Sequence, residues 1–149
     1  MPRLMDTYIE NRERIQPGQA NSHGTAHGGT VMRVMDEVGA MSAMKFAGHT
    51  CVTAHVGGLD FEAPIPVGDT AFVESYVYDA GETSVRVRLR VSRERPHSGE
   101  QTPSSDSTFV FVAVDEDNHP VTVPDLTVET ERGEQLRREA RTAADDHSD

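Results

Sequence analysis

Between Asn21 and Gly39 the chain reads Asn-Ser-His-Gly-Thr-Ala-His-Gly-Gly-Thr-Val-Met-Arg-Val-Met-Asp-Glu-Val-Gly, a run whose residue types suit acyl transfer. Gly28 and Gly29 carry no side chain, so a ligand can approach the backbone where a helix begins. The first N–H groups of a helix have no internal partner and lie at the positive end of its dipole. They are therefore placed to stabilise negative charge growing on a carbonyl oxygen. Asp36 follows eight residues after Gly28 on the same helix and offers a carboxylate as general base. Oxyanion donors and a base in one short segment are the parts that acyl transfer requires.

The element that must position them runs from Thr30 to Ala47 and is apolar on nearly every side, which predicts a buried helix. On a helical wheel Gly29, Met32, Asp36, Ala40 (with Gly39 beside it), Ala43 and Ala47 fall along one stripe. Small neighbours around Asp36 leave room for a substrate or for another backbone. Arg33 and Glu37, four residues apart, read as a helix-face ion pair. A carboxylate among apolar residues is costly unless paired, hydrated or functional. Asp36 thus has two readings, a satisfied buried acceptor or a working base, and the loop before it favours the second.

Other candidates divide the same way. His27 either polarises a carbonyl and moves protons near neutral pH or caps the turn by hydrogen bonding. His23, Asn21 and His27 do not make a metal site, because no carboxylate stands at ligand spacing within the loop, and no metal is expected. Arg86, Arg88 and Arg90 either hold a phosphate or form a solvated sheet face, and the second reading is preferred. Four of the 6 methionines fall within Met32 to Met44 and read as core filler.

The 149 residues suffice for one domain with one core, expected over 1–132 with a charged tail over 133–149. No window approaches the length of a membrane span, and the start lacks the apolar run of a signal peptide, so the expected location is the cytoplasm. Cys51 is the only cysteine and reads as a small buried hydrophobe. A net charge of −11 argues against a nucleic-acid partner. Lys45 is the only lysine among 14 lysines and arginines, set against 25 Asp and Glu. That balance points to a salty cytoplasm in which carboxylate repulsion is screened; codon bias would also replace Lys by Arg but does not account for the acidic excess.

Beyond the helix the pattern turns to strands. Cys51 to Phe61 reads as a long strand, with Gly57-Gly58 marking a bulge or close approach. Thr70 to Tyr78 and Thr83 to Arg93 alternate, joined by a hairpin at Asp79–Glu82 in which Gly81 is available for positive φ. Arg95 to Asp106 reads as a surface loop and Ser107 to Val114 as a central strand. Tyr8 to Gln16 adds one more strand, and Gly133 to Asp149 at most a short exposed helix with a frayed tail. The sum is an α+β pattern, an antiparallel sheet curved around one helix. Such a sheet covers only part of the helix, and dimerisation would cover the rest.

Asn21-x-x-Gly24-x-x-His27-Gly28-Gly29, Met35-Asp36-Glu37, Phe61-x-x-Pro64-Ile65-x-x-Gly68-Asp69 and Gly81-x-Thr83-Ser84 occur in this order. Together they resemble the hot-dog-fold acyl-CoA thioesterases, in the branch of brain acyl-CoA hydrolase and YciA, over Tyr8 to Val123. The resemblance implies a hot-dog fold, dimers often gathered as trimers of dimers into hexamers, and hydrolysis of acyl-CoA to a free acid and CoA. Asp36 matches the family's carboxylate, as general base or nucleophile, and Gly28 the N–H that receives the thioester oxygen. Asn21 matches an amide supplied from the opposite protomer to Asp36. Gly29 continues the glycine turn, and Gly81, Thr83 and Ser84 match the hairpin along the CoA phosphates. No cofactor is implied beyond the coenzyme A of the substrate. Two other classes fit the same fold: an acyl-thioester hydratase or dehydratase, and a non-catalytic acyl-CoA-binding module. The first would want a histidine base, absent from the helix, and the second has no need of Asp36.

Overall fold

The computed structural model describes residues 1–146. Six antiparallel strands form one curled sheet: β1 (Ile9–Arg14), β2 (Thr50–Val56), β3 (Asp60–Phe61), β4 (Thr70–Ala80), β5 (Ser84–Glu94) and β6 (Gln101–Val114). Their order is β1-β4-β5-β6-β2, and β3 also pairs with β6. Helix α1 (Gly28–Ala47) lies on one face of the sheet. Helix α2 (Glu131–Asp146) lies on the other, and a turn of 3₁₀ helix at Leu4–Thr7 links the two, its Leu4 packed with α2 and its Thr7 carbonyl accepting from Ser42 of α1. The alternation along β5 sends Val85, Val87, Leu89 and Val91 into the core against Val34, Val38 and Phe46 of α1. Gly39 lets the helix settle onto the sheet, since a Cβ there would stand 3.1 Å from both Leu89 and Phe111. Gly39, Ala43 and Ala47 therefore pack against this chain's own sheet. Only part of the small-residue stripe remains beside Asp36.

Helix α1 is not buried on every side within the chain. Met32, Met41 and Met44 are 38%, 46% and 38% exposed, because one sheet covers only one flank of a helix. Strand β2 is an edge of the sheet, and its Val52 is also exposed.

Three further expectations change. The strand expected over Cys51 to Phe61 is two strands, and the bulge falls between Thr53 and His55. Of the two readings of Gly57, the close approach holds: a Cβ there would stand 2.7 Å from the carbonyl oxygen of Thr108. Gly81 does not take a positive φ; a Cβ there would stand 2.7 Å from Ser84 Oγ, a hydroxyl that can rotate aside, so the turn does not require glycine. Arg95 to Asp106 is loop only as far as Glu100, since β6 begins at Gln101. Pro103 is tolerated there because it meets Ser92 where the ladder slips register.

The C-terminal segment is a docked helix of 16 residues rather than a short exposed one. Leu136, Ala140 and Ala143 recur at helical spacing on its buried face, the first two packed with Leu4, Tyr76 and Tyr78. Tyr76 donates to the Leu136 carbonyl at 2.8 Å, and Arg137 and Arg141 clamp Asp79 at 2.8 and 2.7 Å. Burial alone would raise the Asp79 carboxyl, but these guanidinium groups outweigh it and hold it below its ordinary value. Residues 147–149, the end of the expected tail, lie outside the described residues.

Candidate active site

The loop before α1 is built on Asn21. Its Oδ1 accepts from the backbone N–H of His23 at 2.9 Å and of Thr25 at 3.2 Å, and its Nδ2 donates to Thr25 Oγ1 at 3.1 Å. An Asx turn of this kind shapes the backbone locally, with Gly24 at φ 75° completing it. The loop is then stitched to its surroundings. Ala26 N–H donates to Ile65 O at 2.8 Å, His27 N–H to Gln19 O at 3.0 Å and Val67 N–H to Gly24 O at 3.0 Å.

His27 is the N-cap of α1, but its side chain makes no capping hydrogen bond. Its carbonyl instead accepts from Thr30 and Val31, while the ring stands exposed. Of the two readings of His27, the one in which the imidazole caps the turn therefore fails. Because these are the first bonds of the helix, the N–H groups of Gly28 and Gly29 carry no intrahelical partner. They differ in surroundings: a Cβ on Gly28 would stand 3.2 Å from the Phe61 ring, whereas one on Gly29 would meet nothing within 4 Å. Beside Gly28 opens a cavity of about 250 Å³, walled by Val31, Phe61, Pro64 and Ile65.

Asp36 is half-buried and accepts a hydrogen bond from the Thr53 hydroxyl on β2. Thr53 escaped the reading of the sequence, for it lies seventeen residues away on another element with no motif around it. Arg33 pairs with Glu37 at 3.0 Å, as its spacing predicts, and also reaches Glu13 on β1 at 2.6 Å. Gly28 and Asp36 do not converge. Eight residues at 1.5 Å per residue separate them by about 12 Å along the helix axis, too far for both to engage one carbonyl.

The hairpin of Gly81, Thr83 and Ser84 lies at the Asp36 end of the sheet, not at the Gly28 end. Thr53 pairs with Phe111 and Phe111 with Val85, so Ser84 stands one residue from the row of Thr53 and about 10 Å across the strands. Thr83 is held by its carbonyl, which accepts from Ala113 N–H at 3.0 Å.

The arginine row lies on the opposite face of the sheet from α1. Arg86 and Arg90 are solvated, as expected, but Arg88 is 8% exposed. It pairs with Asp106 at 2.9 Å in the cleft under α2. His23 and His27 belong to no cluster with metal-ligand geometry among the described residues; Asp115, Asp117 and His119 form one, on an exposed turn after β6.

Comparison with known proteins agrees with this geometry. The thioesterase superfamily matches residues 23–100. The uncharacterized acyl-CoA thioester hydrolase YkhA of Bacillus subtilis is 33% identical over 126 residues, 85% of this chain and 73% of that protein. The acyl-CoA hydrolase of Staphylococcus aureus, solved in complex with butyryl coenzyme A, superposes with TM-score 0.86 at 28% identity, covering 97% of this chain and 88% of that one. A hexameric acyl-CoA thioesterase superposes with TM-score 0.86 at 31% identity over 99% of this chain and 96% of that one. With the curled sheet, the central helix and the glycine turn at its start, these likenesses establish that the chain belongs to the hot-dog acyl-CoA thioesterases of the thioesterase superfamily.

Proposed function

We infer that this chain hydrolyses acyl-CoA thioesters to a free carboxylic acid and CoA. The observation that carries the reading is Asp36, fixed by Thr53 on a helix whose first N–H groups lack intrahelical partners. The solved structures of the Staphylococcus aureus acyl-CoA hydrolase include alanine variants of an asparagine, an aspartate and a threonine. Their separations along that chain, fifteen and then seventeen residues, equal those from Asn21 to Asp36 and from Asp36 to Thr53 here.

The thioester oxygen rests on the Gly28 N–H, which stabilises the oxyanion as the carbonyl is attacked. Asp36 has two routes: it takes a proton from the attacking water, or it attacks the carbonyl carbon and forms an anhydride that water then opens. Either way the C–S bond breaks, the CoA thiolate leaves and water supplies the oxygen that replaces sulfur, directly at the acyl carbon or by way of the anhydride. Thr53 holds the carboxylate in place. Asn21 orients the reacting groups and His27 lines the entrance with an exposed imidazole. Thr83 and Ser84 lie along the CoA phosphates, beside Gly81. The reaction needs no cofactor beyond the CoA of the substrate.

The separation of about 12 Å between Gly28 and Asp36 favours a site shared by two chains, with the helix start of one protomer facing Asp36 of its partner. Exposed Met32, Met41 and Met44 beside the free edge of β2 supply an apolar surface for that pairing. A trimer of such dimers is the assembly that the hexameric relative suggests. No helix among the described residues is long and apolar enough to cross a membrane. We read the acidic excess as fitting the chain to a saline cytoplasm, with no nucleic-acid partner.

The test is CoA release measured with DTNB, run beside an enoyl-CoA hydration assay. Thiol release without hydration supports hydrolysis. Hydration without thiol release would assign the chain to the hydratases, and binding with neither would make it a carrier.

A further inference from the structure

We propose that Phe61 sets the acyl-chain length this chain accepts, by forming the outer wall of the cavity beside Gly28; the inference rests on the acyl-CoA hydrolysis proposed above. Phe61 ends the two-residue strand β3, where it faces Ser105 of β6. The backbone after it is pinned, because Glu62 N–H donates to Ser104 O at 2.8 Å and Ser104 Oγ to Ala63 O at 2.6 Å. The backbone is thus fixed, yet the side chain of a large aromatic residue is left 51% exposed. Contact with an apolar chain would remove that surface from water. The ring lies over the first turn of α1, with Cζ 3.2 Å from the position of a Cβ on Gly28.

Behind the ring, the cavity of about 250 Å³ is lined by Ala26, Val31, Ala63, Pro64 and Ile65. Its two hydroxyls are already engaged, Thr25 with Asn21 and Ser104 with the Ala63 carbonyl, so the wall presents little that would favour a polar guest. An acyl group whose carbonyl oxygen sits on the Gly28 N–H has its alkyl chain directed into this space. A dry cavity of about 150 Å³ holds benzene, so in proportion this one, which is half open, encloses about ten carbons. Chains of short and medium length fit, and a sixteen-carbon chain meets the Phe61 ring.

The experiment compares kcat/KM for butyryl-, octanoyl- and palmitoyl-CoA in the wild type and in Phe61→Ala, Phe61→Leu and Phe61→Trp, with melting temperature and oligomeric state as controls on folding. The wild type is expected to prefer octanoyl- to palmitoyl-CoA. Phe61→Ala should raise the palmitoyl-to-octanoyl ratio by at least about tenfold, and Phe61→Trp should lower the octanoyl-to-butyryl ratio by a similar factor. Phe61→Leu should fall between Ala and wild type, and it decides the matter if Ala fails to fold. Ratios within about twofold of wild type in the folded variants, or a wild type that prefers palmitoyl-CoA, overturn the assignment. If the wild type releases CoA from none of the three, hydrolysis itself is refuted and this inference falls with it.

Discussion

A site shared between two chains makes a quantitative prediction for mixed oligomers. Within one protomer Asn21 shapes the loop before the start of α1, while Asp36 is held by Thr53 more than two turns into the helix. The start of the helix and Asp36 are about 12 Å apart along its axis, whereas a hydrogen bond to the reacting carbonyl spans about 3 Å. On the proposed reading, one chain does not complete its own site. Asn21→Ala and Asp36→Ala should each lower kcat, the second by about 10²–10⁴-fold, the scale of a lost acid–base group. If the two variants are mixed in equal amounts and allowed to exchange, half of the dimers carry one of each. Each such dimer has one site with both residues intact and one with neither, so about a quarter of all sites recover. The assay is CoA release before and after exchange, with exchange verified by native mass spectrometry of differently tagged subunits. Activity that stays at the level of the separate variants after complete exchange would refute the shared site, as would near-wild-type activity of either variant alone.

Thr53→Val keeps the shape of β2 and removes the donor to Asp36; kcat should fall by about 10–100-fold, matching the 1.5–3 kcal/mol of a hydrogen bond to a charged group. A change under threefold would show that Thr53 does not position the carboxylate. The Asp79 carboxyl is held below its ordinary value, so its contribution to docking α2 is complete above 3.8 and is lost as pH falls through the lower folded value. Amide exchange in α2 should therefore accelerate only below about pH 4, and an unchanged acid profile in Asp79→Asn would count against this clamp. Burial pushes the Cys51 thiol up to about 11, so at pH 8 the native protein should react slowly with DTNB and yield its single thiol only in denaturant. Rapid stoichiometric reaction of the folded protein would contradict that burial. With a net charge of −11, the protein should be most stable in molar salt and lose its oligomer in 10 mM buffer, where the screening length grows from about 3 Å to about 30 Å. A constant melting temperature and an intact oligomer across that range would leave the arginine bias to genome composition.

What the linear chain determined was local. Paired glycines before an apolar run place the start of α1, because helix initiation and close backbone approach depend on neighbouring residues alone. The strict alternation of Val85 to Val91 sets the core face of β5 for the same reason. The order of the motifs was also enough to identify the family. Tertiary structure decided whatever depends on partners distant along the chain. Thr53 reaches Asp36 because β2 lies beside α1, and nothing around Thr53 announces a ligand. Arg88 alternates just as Arg86 and Arg90 do, but α2 covers that face of the sheet and buries one arginine of the three. The charge of α2 hid its docking stripe of Leu136, Ala140 and Ala143, since burial requires Tyr76 and Tyr78 to wait on the far face of β4. The helix that puts Gly28 and Asp36 in one motif also holds them about 12 Å apart, for the rise of the helix turns closeness in sequence into distance in space.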